Sequence, residues 1–330
     1  MVVLGAGVVA LEMAQSFSLL GSKVTVINRS SRLFGSKGGD EEAAELIQKE
    51  LEADGVTFKS SAKVQKVTTV SAGGDAPGEF PVMKVAFEDE ELECDCLLVA
   101  TGRVANVEDL GLEAAGVEYK LGAGVVVDDL IRSVSNPCVY AVGDCVAGVP
   151  RLTVRFLSQV QHSKTDQTEI LTLLFYSRLP KHMSGEMAKM AVQNSLAGDD
   201  WKLSSLVVPA VMYTEPEYAT VGIASEEQAL KEGIEVDVYR TGLEHNDRAI
   251  LEGSNQGFCK IMARKGTDEI LGATIVAERA GEMINEVSLC IKNKIGLFAL
   301  GRNIHAYPTT GECVQGCGVQ YINKNLPRFD

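Results

Sequence analysis

No apolar run in this chain approaches the ~18 residues that a bilayer-crossing helix needs. The opening MVVLGAG has neither the basic segment nor the cleavage pattern of a secretion signal. Positive charge is also short: 31 Lys and Arg stand against 45 Asp and Glu, a formal net charge of -14. Such a surface repels phosphate backbones and anionic lipid, so neither nucleic acid nor a membrane is an expected partner. The eight cysteines are scattered, without the spacing of a disulfide framework or a closed metal site. Reduced thiols in an intracellular compartment, cytoplasm or organelle matrix, are expected, and no metal. What is present is an ordinary globular composition, 45% hydrophobic and 23% charged over 330 residues, enough for two or three domains around sizeable cores.

Along the chain, a short apolar run (Val2 to Leu4), a glycine turn, a helical stretch from Val8 to Leu20 and a second apolar run (Val24 to Ile27) predict a strand, helix, strand unit. A helix is expected from Asp40 to Ala53, opened by Asp40, Glu41 and Glu42, because acidic groups suit a helix N-terminus. Strands alternate with turns from Val56 to Phe87, with Gly73 to Glu79 as a hairpin tip. Cys96 to Ala100 reads as a buried strand, followed by strands at Val125 to Val127 and Val139 to Val142 and a helix from Met183 to Leu196. From Val207 the pattern is strands with one helix, Gly281 to Asn293, an α+β region distinct from the α/β part, with the boundary near Asp200.

The strongest chemical signal is Gly5-x-Gly7-x-x-Ala10, set between a strand and a helix. Gly5 permits the tight turn, Gly7 admits a pyrophosphate to the backbone, and Ala10 lets helix and strand pack closely. A dinucleotide ligand follows. At the end of the second strand, where an NAD site usually carries an acid, stand Asn28, Arg29, Ser30, Ser31 and Arg32. Guanidinium groups suit a 2′-phosphate through charge-assisted bonds, so NADPH is favoured over NADH. The alternative makes Arg29 and Arg32 solvated turn residues. Cys313 and Cys317 share one helix face, as a redox or metal pair or as core thiols.

GAGVVALEMAQSFSLLGSKVTVINRSSRLF resembles the NAD(P)H domain of the pyridine nucleotide-disulfide oxidoreductases, which include dihydrolipoamide dehydrogenase, glutathione reductase and mercuric reductase. ATGRVANVEDLGLEAAGV, with Gly102, resembles the family's return to its FAD domain. VYAVGDC resembles its second flavin motif, in which Gly143 precedes the aspartate, here Asp144, that holds the ribityl chain of FAD. VPAVMYTEPEYATVG, LGATIVAERAGEMINE and IHAYPTTGE resemble successive parts of its interface domain. The resemblance implies an α/β fold: a Rossmann-like NAD(P)H domain over 1–103, the C-terminal half of an FAD domain over 104–200, and an α+β dimerisation domain over 201–330. It implies a homodimer that passes hydride from NADPH through FAD to a disulfide or metal acceptor.

Carried over by position, Glu12 lies near nicotinamide and flavin, or is a helix-surface carboxylate. Where the family has an acid/base histidine before Pro-Thr, this chain has Tyr307, with Glu312 at the position of the orienting glutamate. Tyr307 and the arginine-rich nucleotide site resemble the mercuric reductase branch. With a reference pKa near ~10, a phenol is a poor base at neutral pH, and His305 is either its substitute or structural.

Two departures bear on activity. The family's FAD-binding N-terminal segment and its CxxxxC are not found here, so an N-terminally truncated and catalytically impaired chain is expected. Joining Thr153 to His182 restores the family pattern at the flavin-capping helix, so 154–181 reads as an insertion. It is either a retained in-frame intron, since valine codons begin GT and a lysine codon can end AG, or a surface insertion. Two alternatives stand beside the flavoenzyme: a non-catalytic NAD(P)H-binding, dimer-forming fragment, and a dihydrolipoamide dehydrogenase.

Overall fold

The computed structural model describes residues 1–34, 39–73, 80–148 and 181–325. The chain opens with β1 (Val2–Leu4), turns through Gly5 to Gly7, and enters α1 (Val8–Leu19) before β2 (Thr25–Ile27). All of β1 is buried, as a strand flanked on both sides requires. After α2 (Glu41–Ala53) come β3 (Thr57–Lys59), the antiparallel set β4 (Val64–Ser71), β5 (Val82–Phe87) and β6 (Glu90–Cys94), and β7 (Leu97–Val99). A parallel sheet in the order β3-β2-β1-β7 results, with Val3 opposite both Val26 and Leu98. The helices turn small and aliphatic side chains inward at helical spacing, Ala10, Leu11 and Ala14 from α1 and Ala43, Ile47 and Leu51 from α2. The Gly73 to Glu79 tip lies mostly outside the described residues, although β4 and β5, which it joins, do pair antiparallel.

Two expectations need correction here. β7 is not a buried strand: it is the outer strand of the described sheet, and Val99 is 60% exposed. Val139 to Val142 is no strand at all. Tyr140 makes only an isolated bridge to Arg132, in a segment bent by side-chain turns. Asp128 accepts the N–H groups of Leu130 and Arg132 (3.0 Å each), and Asn136 accepts that of Cys138 (3.1 Å). The same region holds β8 (Tyr119–Lys120), β9 (Gly124–Val125) and α3 (Lys181–Val192), which runs into a π-helical turn at Gln193–Ala197. Met183, Met187 and Met190 are the buried face of α3.

The last region is built on β10 (Ala210–Met212), β11 (Glu217–Gly222), β12 (Val236–Gly242), β13 (Phe258–Arg264) and β14 (Ile270–Ala277), an antiparallel sheet ordered β10-β11-β14-β13-β12. One helix was expected there; α4 (Glu226–Lys231), α5 (Asp247–Glu252), α6 (Ala280–Lys292), α7 (Leu297–Arg302) and α8 (Glu312–Asn325) are found. Two of the three six-residue helices start on local caps, Ser225 accepting the Gln228 N–H (3.1 Å) for α4 and Asn246 accepting the Ala249 N–H (3.0 Å) for α5.

The described residues form two compact units: those from Met1 to Ala100 with those from Val207 to Asn325, and the described residues between Thr101 and Leu206. In the first, Met212, Tyr218, Phe258 and Val276 join the core of the parallel sheet and its helices. Lys260 on β13 reaches the Asp40 carboxylate (2.8 Å) with both side chains buried. Among the described residues no helix is long and apolar enough to cross a membrane.

Candidate functional site

The Gly5 to Ala10 turn has the geometry its composition predicts. Gly5 sits at φ +104°, a conformation that favours glycine. Gly7 is the N-cap of α1, with no side-chain cap and no acid in the first turn. A Cβ built on Gly7 meets nothing within 4 Å. Packing therefore does not demand the glycine, but a group lying against the helix end would. Ala10 has no exposure and lies against the sheet. The α1 terminus presents its first N–H groups and the positive end of its dipole without an internal acceptor from a cap, which suits a pyrophosphate.

The loop after β2 is fixed beside this turn. Asn28 Nδ2 donates to Arg32 O (2.8 Å), Ser30 N–H donates to Asn28 Oδ1 (3.2 Å), and Phe34 N–H donates to Ala6 O (3.2 Å). Asn28 is thus spent on shaping the loop. Arg29 is exposed and has no ion pair among the described residues. Arg32 is not a solvated turn residue: its guanidinium hydrogen-bonds Glu227 of α4 and lies 3.6 Å from Glu41.

Glu12 is half-buried, and Oε1 accepts the Tyr213 N–H (2.8 Å). Burial raises its pKa, against the lowering effect of that bond. Next to it, Gln15 bonds both the N–H and the C=O of Glu215 (2.8 and 2.7 Å). These contacts tie α1 to the segment after β10.

In the other unit, Arg103 Nη1 donates to Asp144 Oδ2 (2.6 Å). Asp144 lies in the Gly143–Cys145 turn, with Gly143 at φ +77° and Gly102, just before Arg103, at φ +142°. Its side chain is 31% exposed, and its second oxygen has no partner among the described residues. An open acceptor on an anchored carboxylate fits the hydroxyl groups of a ribityl chain. Thr153, the His182 side chain and residues 154–180 lie outside the described residues.

At the C-terminal end, Tyr307 is exposed and donates to Asp247 Oδ2 (2.6 Å). That bond pushes the phenol pKa up from its ordinary value, which removes Tyr307 further from base chemistry. Glu312 does not meet it; Glu312 Oε2 accepts the Thr309 N–H (3.1 Å) at the start of α8. His305 Nε2 faces Glu286 Oε2 (3.0 Å) and Nδ1 faces Asn303 O (3.1 Å). A histidine–glutamate pair therefore exists, in other residues than those the motif position suggests. Cys313 and Cys317 do share one face of α8, and both are buried. Cys313 Sγ lies 2.9 Å from Thr241 O and Cys317 Sγ 3.4 Å from Cys259 O, an arrangement of core thiols.

Asp247, Glu286, Glu227 and Tyr213 were not found by sequence reasoning. Their partners are far along the chain, and no local spacing signals such pairs. Arg103 lies inside the ATGR motif, so its place beside a flavin segment was readable, though its pairing was not.

Residues 1–160 match the family model described as pyridine nucleotide-disulphide oxidoreductase, and residues 208–316 match that of the same family's dimerisation domain. The chain is 32% identical over 310 residues to a mercuric reductase of Acidithiobacillus ferrooxidans, covering 94% of this chain and 49% of that one. It is 34% identical over 316 residues to the mitochondrial dihydrolipoyl dehydrogenase of Sus scrofa, covering 94% and 54%. The chain thus spans about half the length of the curated relatives it matches. Among solved structures it has the fold of the copper(II) complex of the HOCl-induced flavoprotein disulfide reductase RclA from Escherichia coli (TM-score 0.76, 22% identity, 97% of this chain and 63% of that one). It shares that fold equally with LpdA from Mycobacterium tuberculosis (TM-score 0.76, 23% identity, 97% and 61%).

Proposed function

Because this chain belongs to the pyridine nucleotide-disulphide oxidoreductase family, we propose that it carries the nucleotide site, a flavin segment and the dimer-forming part of an oxidoreductase passing hydride from NADPH through FAD to a disulfide or metal acceptor. The observation that carries this reading is the uncapped N-terminus of α1, with Gly7 facing open space. Gly5, Gly7 and Ala10 receive the pyrophosphate. Arg29 and Arg32 face the 2′ position of the adenosine ribose, which favours NADPH over NADH. Bound FAD would supply the hydride acceptor, with Gly102, Gly143 and Asp144 as its contacts on this chain.

At the C-terminal end, the Tyr307 hydroxyl donates to Asp247, which keeps the phenol protonated, so Tyr307 does not serve as a base. This weakens the dihydrolipoamide dehydrogenase reading, which needs a group that accepts a thiol proton there. The dimerisation region supports a homodimer. The test is anaerobic mixing of the FAD-loaded protein with NADPH. Bleaching of the flavin absorbance, faster with NADPH than with NADH, is the expected result; bound NADPH with no bleaching would leave only the non-catalytic nucleotide-binding reading.

A further inference from the structure

We propose that Glu227, on α4, is a specificity-determining residue of the nucleotide site: it engages Arg32 and so holds down the preference for NADPH over NADH. The inference rests on the nucleotide-site reading above and adds a residue far from the strand end where that choice is usually made. Arg32 is the better fixed of the two candidate 2′-phosphate ligands. Its backbone is bound by Asn28, and its loop is tied to the glycine turn through Phe34 and Ala6. Its guanidinium, however, is committed to Glu227, with Glu41 at 3.6 Å.

Glu227 is itself held in place. Lys231 bonds its other oxygen (2.7 Å), and the Ser225 cap fixes the start of α4. Arg32 also lines a crevice shared with Glu41, Glu42, Glu45, Glu226 and Glu227, whose other cation, Lys260, is paired with Asp40 and Glu42. A 2′-phosphate approaching Arg32 must displace one carboxylate and tolerate its neighbours, since like charges at such range repel. A 2′-hydroxyl carries no charge and meets no such penalty. Glu227 therefore acts against NADPH selectively and leaves NADH almost untouched, while Arg29 keeps the site open to the phosphate.

The test is fluorescence titration of the purified chain with NADPH and with NADH, for the wild type, E227Q, R32A and the double variant. Glu227→Gln keeps the size of the side chain and one acceptor oxygen while removing its charge, and thermal unfolding checks that each variant is folded. In E227Q, NADPH affinity is expected to rise about fivefold with NADH changed less than about twofold, the scale of one charged hydrogen bond regained. In the R32A background, Glu227→Gln should lose most of that effect. Equal changes for both nucleotides, or no change in E227Q, overturn the role of Glu227 while leaving the nucleotide site intact. A folded wild type that binds neither nucleotide overturns the site itself.

Discussion

Helices α1 and α2 belong to one compact unit, and their N-termini are finished in opposite ways. The α1 end has Gly7 as its cap, no side-chain acceptor and no acid in its first turn. The α2 end has Asp40 accepting the Ala43 N–H (3.1 Å), Glu41 and Glu42 in its first turn, and the buried Lys260 ammonium on Asp40 and Glu42 (2.8 and 3.0 Å). Both helix ends carry the same partial positive charge and the same unpaired N–H groups. One is satisfied by its own chain and the other is left to a ligand. A helix end is thus marked as a ligand site by what it lacks: a cap, an acid, and a reason of packing for its glycine.

This contrast can be broken from either side. The largest effect is expected at α2. Asp40→Ala removes both the cap and the closest partner of a buried lysine, and should lower unfolding stability by about 3 kcal/mol, read by chemical denaturation, while the nucleotide affinity of the folded fraction stays within about twofold. Gly7→Ala is the mirror image. Its backbone, φ -88° and ψ 178°, is open to alanine and its Cβ meets nothing, so stability should hold while NADPH affinity falls about 30-fold, or about 2 kcal/mol. A drop in melting temperature without loss of binding would make Gly7 structural and dissolve the contrast.

A smaller effect follows from pH. Burial raises the Glu42 pKa, but Lys260 and Arg240 outweigh it, so the folded value lies below the ordinary 4.5. With the folded pKa depressed, the stabilisation is present above the unfolded value and lost as pH falls through the folded one. Below pH 4.5, amide protection factors in the first turn of α2 should therefore fall more than those in α1. An equal fall at both ends would show that Glu42 does not tie α2 down. The smallest effect is expected from inorganic pyrophosphate, which should shift the amide resonances of Val8 and Val9 and leave that of Ala43 in place.

The parts legible in the sequence are those whose cause is local. The glycine turn, Ala10 and the acidic start of α2 could be read because turn geometry and caps depend on neighbouring residues. Val139 to Val142 looked like a strand because it is apolar, but its pairing stops at the single bridge from Tyr140 to Arg132, between turns set by Asp128 and Asn136 outside that window. β7 looked buried for the same reason; edge position is a property of the sheet, not of the run. α4 and α5 are too short to show a helical period, and only Ser225 and Asn246 announce them. In the site, Arg29 and Arg32 were readable as candidate phosphate ligands, but the commitment of Arg32 to Glu227 joins residues 195 apart. Pairing at that distance follows from packing, as do the partners of Tyr307 and His305.

The most direct measurement is a crystal structure of the chain grown with NADP. Pyrophosphate oxygens on the first N–H groups of α1, against the Gly7 Cα, are the expected result. A nucleotide bound elsewhere, with water alone at the α1 terminus, would contradict the assignment of that helix end as the nucleotide site.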